Sequence, residues 1–125
     1  MTQSGYTSVM RYALIALLLI PALACAATED DYNRAWCAAH NGQAEVVLAD
    51  RTRADCITHT HAIEADYARK FYGAIGQSLW YAFQTSKRAG IVLIVDPADN
   101  GRYLYRLNSV IRHNGLPIDV WTVTR

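Results

Sequence analysis

Apolar residues repeat at two different spacings along the chain, and the change between them marks the predicted elements. Phe71, Ile75 and Leu79 recur every four residues, as on one face of a helix. Gly90 to Val95 is instead a continuous apolar run, typical of a strand buried on both faces. Together with turn signals such as Asn41-Gly42, these patterns predict helices at about 29–40, 67–86 and 103–114, and strands at about 45–50, 53–60, 61–66, 90–95 and 118–123.

The element order αβββαβαβ predicts an α/β domain with a mixed central sheet flanked by helices. The strand at 90–95 should lie inside the sheet, with the last strand beside it. No glycine or proline separates the second strand from the third, so their boundary carries no turn signal. Gly73 and Gly76 each weaken the second helix by ~1 kcal/mol relative to Ala. We therefore expect this helix to lie close against the sheet at these two positions.

The N-terminus has the pattern of an export signal. Arg11 precedes the apolar run from Tyr12 to Ile20, and Pro21 and small residues follow it. The run is much shorter than the ~20 residues that cross a bilayer, so no permanent transmembrane segment is expected. We predict a signal peptide at 1–26, a single mature domain at 27–125, and a periplasmic or secreted protein. Cleavage after Ala24 and lipidation of Cys25 are the alternatives.

Cleavage after residue 26 would leave two cysteines, Cys37 and Cys56. In an oxidising compartment such a pair indicates a disulfide, here joining the first helix to the second strand. Closing a loop of this length contributes ~3 kcal/mol in the chain-entropy description. The alternative is two buried free thiols.

The charge of the mature chain gives little information about its binding partners. Of the 12 basic residues only Arg11 lies within 1–26, so the mature chain has 11 basic and 11 acidic residues. Nonspecific nucleic-acid binding depends on clustered positive charge. The net charge therefore gives no support to a nucleic-acid partner, although a local patch would suffice.

Three acids lie on the predicted second and third strands: Asp55, Glu64 and Asp66. Strand alternation puts Glu64 and Asp66 on one face, and Asp55 comes from the neighbouring strand. Carboxylate oxygens are the ligands that Mg²⁺ and Mn²⁺ prefer, and a bound metal can activate water for hydrolysis. The following helix carries Lys70, Gln77 and Tyr81 within about 40° of one another. The sequence thus predicts a metal site under a polar helix face.

The element order and these acids resemble the core of the PD-(D/E)XK nuclease superfamily, which has a restriction-endonuclease-like fold. Asp55 matches the first acid, Glu64-Ala65-Asp66 stands where acid-x-Lys belongs, and Gln77-Ser-Leu-Trp-Tyr81 matches the Q-x-x-x-Y signature. The chain is also similar to small exported bacterial proteins with the run TRxDC…AIExD…AIGQSLxYA. The resemblance covers about 29–123 and implies a metal-dependent nuclease site with Asp55 and Glu64 as ligands, to which strand alternation adds Asp66.

The chain departs from the family pattern at two positions. Asp66 replaces the lysine, and Ala54 stands where a proline would precede Asp55. Lys70 and Arg53 are the candidates for a displaced cation, and Glu45 can approach from the side. With this lysine, the predicted catalytic set is Asp55, Glu64, Lys70 and Gln77.

Each of these residues also has a structural interpretation. The acids can be strand residues paired with arginine or lysine, and Gln77 can satisfy a buried carbonyl. His59 and His61 can share a strand face and hold a transition metal, or form a solvated edge. Trp80 and Trp121 can stack on bases, or fill the core.

Two functions remain open. The first is a divalent-metal-dependent nucleic-acid phosphodiesterase, or a degenerate relative of one. The second is a noncatalytic envelope protein that binds another protein or a small ligand on the same scaffold. A small secreted toxin or immunity-type module is a third option.

Overall fold

The structure is a computed structural model and describes residues 24–125. The predicted signal peptide lies outside the described residues except for its last three positions, where Cys25 is exposed and unbonded. Within 24–125, no helix is long and apolar enough to cross a membrane.

The predicted element order is confirmed. The helices are α1 (Glu29–Ala39), α2 (Phe71–Thr85) and α3 (Arg102–Asn114). The strands are β1 (Gln43–Val47), β2 (Arg53–Ile57), β3 (His61–Tyr67), β4 (Arg88–Val95) and β5 (Ile118–Thr124). Short 3₁₀ turns at Ala68–Lys70 and Pro97–Asp99 precede α2 and α3.

The five strands form one mixed sheet in the order β1-β2-β3-β4-β5. The first two pairings are antiparallel, and the β3–β4 and β4–β5 pairings are parallel. Parallel neighbours need a crossover, which α2 and α3 provide. As expected, β4 lies inside the sheet with β5 beside it.

The sheet has a different core on each face. Ile91 and Leu93 of β4 pack with Phe71 of α2 and Leu107 of α3. Val92, between them in sequence, belongs to the opposite cluster with Trp36 of α1. This alternation puts α2 and α3 on one face and α1 on the other.

The first helix begins at a capping box. Asp31 N donates to Thr28 Oγ1 at 3.3 Å, and Thr28 N donates to Asp31 Oδ2 at 2.7 Å.

The predicted disulfide is also present: Cys37 of α1 is bonded to Cys56 of β2, with Cα atoms 5.8 Å apart. A Cβ on Gly42 would lie 2.7 Å from Cys37 Sγ, so a glycine is required beside the bridge.

The boundary without a turn signal lies at Thr58, since β2 ends at Ile57 and not at Thr60. Thr58 Oγ1 accepts from the N–H groups of His61 and Thr60, at 3.0 and 3.3 Å. A threonine side chain therefore makes the turn that glycine or proline would otherwise make.

The expectation for the two α2 glycines is wrong. A Cβ added at Gly73 or Gly76 meets nothing within 4 Å, because both face away from the sheet. The close approach occurs at Gly90 of β4. A Cβ there would contact Ile63 Cδ1 and would lie 2.8 Å from Trp121 Cζ3.

Candidate functional site

Two carboxylates lie level with each other where β2 and β3 stop pairing. The register pairs Cys56 with Ile63 and Ile57 with Ala62, so Asp55 falls beside Glu64 one position further on. There the Asp55 side chain takes the place of a backbone partner, because its Oδ2 accepts from Ala65 N at 2.8 Å. The local end of strand pairing therefore fixes one carboxylate between the strands.

Glu64 is 7% exposed and is surrounded by polar groups of α2. Gln77 Nε2 donates to Glu64 Oε1, and the buried Tyr81 side chain lies beside this carboxyl group. The predicted stripe of Gln77 and Tyr81 therefore does cover the acid. Gln77 serves the Glu64 carboxyl and not a strand carbonyl.

The pair holds one proton at neutral pH. Burial and the adjacent Asp55 charge raise the pKa of Glu64 to about 9. Burial also raises the pKa of Asp55, but the Ala65 N–H and the hydrogen bond with Glu64 oppose that shift. Glu64 is thus the protonated member of the pair at neutral pH. Burial and the neighbouring Glu64 also raise the pKa of Tyr81.

Asp66 belongs to a separate group of charges. Lys70 Nζ lies 3.3 Å from Asp66 Oδ1 and 3.3 Å from Glu29 Oε2 of α1. Asp66 Oδ1 also accepts from Tyr67 N at 2.8 Å. Within 24–125, Lys70 forms no ion pair with Asp55 or Glu64. The displaced-lysine candidate therefore neutralises Asp66 and Glu29. Burial, followed by the Asp66 carboxylate, raises the pKa of Glu29.

Arg53, the other candidate for the displaced cation, is paired with Glu45: its Nε lies 2.7 Å from Glu45 Oε2. Asn33 of α1 hydrogen-bonds both Glu45 and Asp55. Its Nδ2 donates to Asp55 O at 2.8 Å and to Glu45 Oε1 at 3.3 Å. Asn33 is 3% exposed, and its Oδ1 has no hydrogen-bond partner in the structure.

These groups border a cavity of about 250 Å³ between α1 and the sheet, which we call the acidic cavity. It is lined by Glu29, Asp30, Asn33, Arg34, Glu45, Arg53, Asp55 and Ala65. Glu29 and Asn33 were not among the predicted site residues, since their stretch of the sequence indicates only the start of a helix. Asn33 lies three residues before the buried Trp36, a helical spacing that places both on one face of α1 and was the available signal.

The carboxylate oxygens of the site are the type of ligand that a hard divalent cation prefers, but there are fewer of them than such a cation needs. Within residues 24–125, no three His, Cys, Asp or Glu side chains converge on one point. Mg²⁺, however, is commonly held by one or two carboxylates together with water and substrate phosphates. Asp55 and Glu64 provide such a pair, whereas Asp66 is directed to Lys70.

The remaining candidates serve other contacts. His61 Nε2 lies 2.7 Å from Asp119 Oδ2, and its ring packs edge-on against Trp121, which also contacts Trp36. His59 is exposed. Trp80 is also exposed, and its Nε1 donates to Asp50 Oδ2 at 2.8 Å.

Comparisons of the chain with protein-family models, with curated proteins and with solved structures found no match. The class of protein that the structure defines is therefore a small disulfide-bonded α/β domain in which a buried carboxyl group, Glu64, lies beside the half-buried Asp55. The PD-(D/E)XK resemblance stays a prediction.

Proposed function

We propose that the mature chain is an exported, divalent-metal-dependent hydrolase of nucleic-acid phosphodiesters, with Asp55 and Glu64 as the metal ligands. The observation that carries this proposal is the pair formed by the buried Glu64 and the half-buried Asp55, which has no cation partner among the described residues. Two such groups repel when both are ionised. The pair keeps a proton, and a divalent cation is the alternative means of neutralising it.

The chain's own residues would position the ligands. The Ala65 N–H holds Asp55, and Gln77 holds one oxygen of Glu64. Mg²⁺ or Mn²⁺, when bound, would polarise the phosphate and lower the pKa of a bound water. Asp66 would support the site by holding Lys70 near its edge.

Calorimetric titration of residues 27–125 with Mg²⁺ and Mn²⁺ is the first test. A metal that binds Glu64 must displace its proton, so we expect about one proton released per metal near pH 7. Titrations in two buffers of different ionisation enthalpy measure that number. Glu64→Gln should weaken binding and abolish proton release, whereas Asp99→Asn, which changes a carboxylate elsewhere, should change neither.

Cleavage is the second test. Single-stranded DNA, RNA and plasmid are incubated with the protein and Mn²⁺, and Asp55→Asn and Glu64→Gln should each lower the rate at least about 100-fold. Metal binding without any cleavage would overturn the hydrolase and keep the metal site. Absence of metal-linked heat and of proton release would overturn both.

A noncatalytic interaction protein is the second candidate, and the outer face of α2 favours it. Tyr72 and Phe83 there are 67% and 76% exposed, and Trp80 stacks on Phe83 with ring centroids 5.5 Å apart. Gly73 and Gly76 lie on the same outer side with open space around them. Such a surface fits an apolar segment of another protein.

A further inference from the structure

A second cavity of about 250 Å³ lies at the carboxyl ends of the three parallel strands. Tyr67 ends β3, Asp96 follows β4, and Arg125 follows β5, and all three line the cavity. In open α/β sheets, the crevice outside the carboxyl ends of the strands is where ligands generally bind. The acidic cavity is separate and lies between α1 and the sheet.

Three arginines line this second cavity, which we call the arginine cavity: Arg69, Arg102 and Arg125. Asp99 Oδ1 lies 3.0 Å from Arg102 Nη2, and Asp96 Oδ2 lies 3.2 Å from Arg125 Nε. Arg69 has no carboxylate within ion-pair distance among residues 24–125. Three guanidinium groups thus face two carboxylates, and one positive charge is not neutralised.

The guanidinium groups are also held against aromatic rings. Arg69 Cζ and Arg125 Cζ lie 5.8 and 6.0 Å from the centre of the Tyr67 ring. Arg102 Cζ lies 4.8 Å from the centre of the Tyr103 ring. Arg102 and Arg125 are paired with Asp99 and Asp96, whereas Arg69, which has no ion-pair partner among residues 24–125, has its guanidinium N–H groups free to donate to an oxyanion.

The start of α3 adds to the positive potential. Its first two residues, Arg102 and Tyr103, line the cavity, and its N-cap Gly101 makes no side-chain capping bond. The free N–H groups and the positive end of the helix dipole favour an anion on this side.

We propose that the arginine cavity binds a phosphate group. Its volume falls just below the roughly 300–1,000 Å³ of ordinary small-molecule pockets, so the bound group is small or only the end of a larger molecule. A free phosphate compound and the terminal phosphate of a nucleic-acid strand carry this same chemistry. The site needs neither the carboxylate pair nor a metal, and it goes beyond the proposed hydrolase.

The experiment is isothermal titration of residues 27–125 in metal-free buffer. The probes are inorganic phosphate, adenosine 5′-monophosphate, and one single-stranded oligonucleotide with and without a 5′-phosphate. Arg69→Gln is the main variant, because Arg69 is exposed and breaks no ion pair when changed. Arg106→Gln is the matched control: Arg106 stacks on Tyr103 at 5.7 Å but does not line the cavity.

We expect saturable binding of phosphate-bearing probes, about tenfold weaker in Arg69→Gln and within about twofold of wild type in Arg106→Gln. Preference for the 5′-phosphorylated oligonucleotide over the monophosphate would identify a strand end as the source. The reverse preference would identify a free phosphate compound. Equal weakening in both variants, or no saturable binding at millimolar probe, overturns the proposal. Because no metal or cleavage enters the assay, this failure is distinct from failure of the hydrolase.

Discussion

The buried Glu64 carboxyl group makes the stability of this domain depend on pH, because it holds a proton in the folded chain. The folded chain raises the pKa of Glu64 from 4.5 to about 9 through burial and the Asp55 charge. Below pH 4.5 both folded and unfolded chains hold this proton. Between pH 4.5 and about 9 only the folded chain does, so unfolding releases a proton and stability falls as the pH rises.

Removal of this titration should stabilise the protein at higher pH. Glu64→Gln keeps the shape and the hydrogen bonds of a neutral carboxyl group. We expect the variant to be more stable than wild type at pH 8 by about 1–3 kcal/mol, and the difference to shrink towards pH 5. Urea denaturation at pH 5, 6, 7 and 8 measures it.

Glu45→Gln is the control for that series. Glu45 is held by Arg53 at 2.7 Å and accepts from Asn33, so its change should lower stability instead of raising it. Parallel stability curves for wild type and Glu64→Gln across the whole pH range would show that Glu64 does not keep its proton in the folded state.

At the scale of the element, α2 carries two glycines that its own fold does not require. Gly73→Ala and Gly76→Ala should each stabilise the domain by up to ~1 kcal/mol, since the added methyl group meets nothing within 4 Å. Gly90→Ala is the contrast: its Cβ would contact Ile63 and Trp121, and we expect a loss of 1–3 kcal/mol. Thermal unfolding of the three variants compares them directly.

The opposite signs of the stability changes expected for the α2 and β4 glycines test which face of α2 packs against the sheet. Destabilisation by Gly73→Ala or Gly76→Ala would mean that the outer face of α2 is packed in solution. Stabilisation would mean that each glycine lowers the stability of the domain by about the difference in helix propensity between Gly and Ala. Glycines kept at that cost fit a surface that is retained for interaction.

The helices and strands could be predicted from the sequence because apolar residues repeat at different spacings in helices and in strands. The continuous run of β4 and the four-residue repeat of α2 are local signals, and both elements formed where expected. The β2 boundary depended on a Thr58 hydroxyl reaching His61, and the α2 glycines depended on which face met the sheet. The Thr58 contact cannot be read from spacing, whereas 100° per residue places Gly73 and Gly76 opposite the Phe71 and Ile75 stripe, so their outward position could have been predicted.

In the candidate site too, local patterns predicted some residues and long-range contacts determined the others. Asp55, Glu64, Gln77 and Tyr81 were found from strand alternation and helix spacing, because those residues lie on neighbouring elements. Lys70 pairs with Asp66 four residues before it, but its second partner, Glu29, and the hydrogen bond of Asn33 to Asp55 come from α1, more than twenty residues away in sequence. Long-range placement of one helix against the sheet was not encoded in any local pattern.

At the scale of the whole molecule, the disulfide joins α1 to the sheet, and within residues 24–125 no other helix covers that face. Cys37 of α1 and Cys56 of β2 are 1% and 0% exposed, and the bridge closes a separation of 19 residues. Loss of such a cross-link frees the unfolded chain and should lower the free energy of unfolding by ~3 kcal/mol. A domain of this size has little reserve against that loss.

Urea denaturation of residues 27–125 with and without a strong reductant measures this contribution, because only these two cysteines remain. A change smaller than about 1 kcal/mol would contradict the expectation. The site should respond as well, since α1 supplies Asn33 and Glu29 to the acidic cavity. If α1 loosens on reduction, metal affinity at Asp55 and Glu64 should fall before the sheet unfolds. The arginine cavity, formed by β3, β4, β5 and α3, should keep its phosphate affinity.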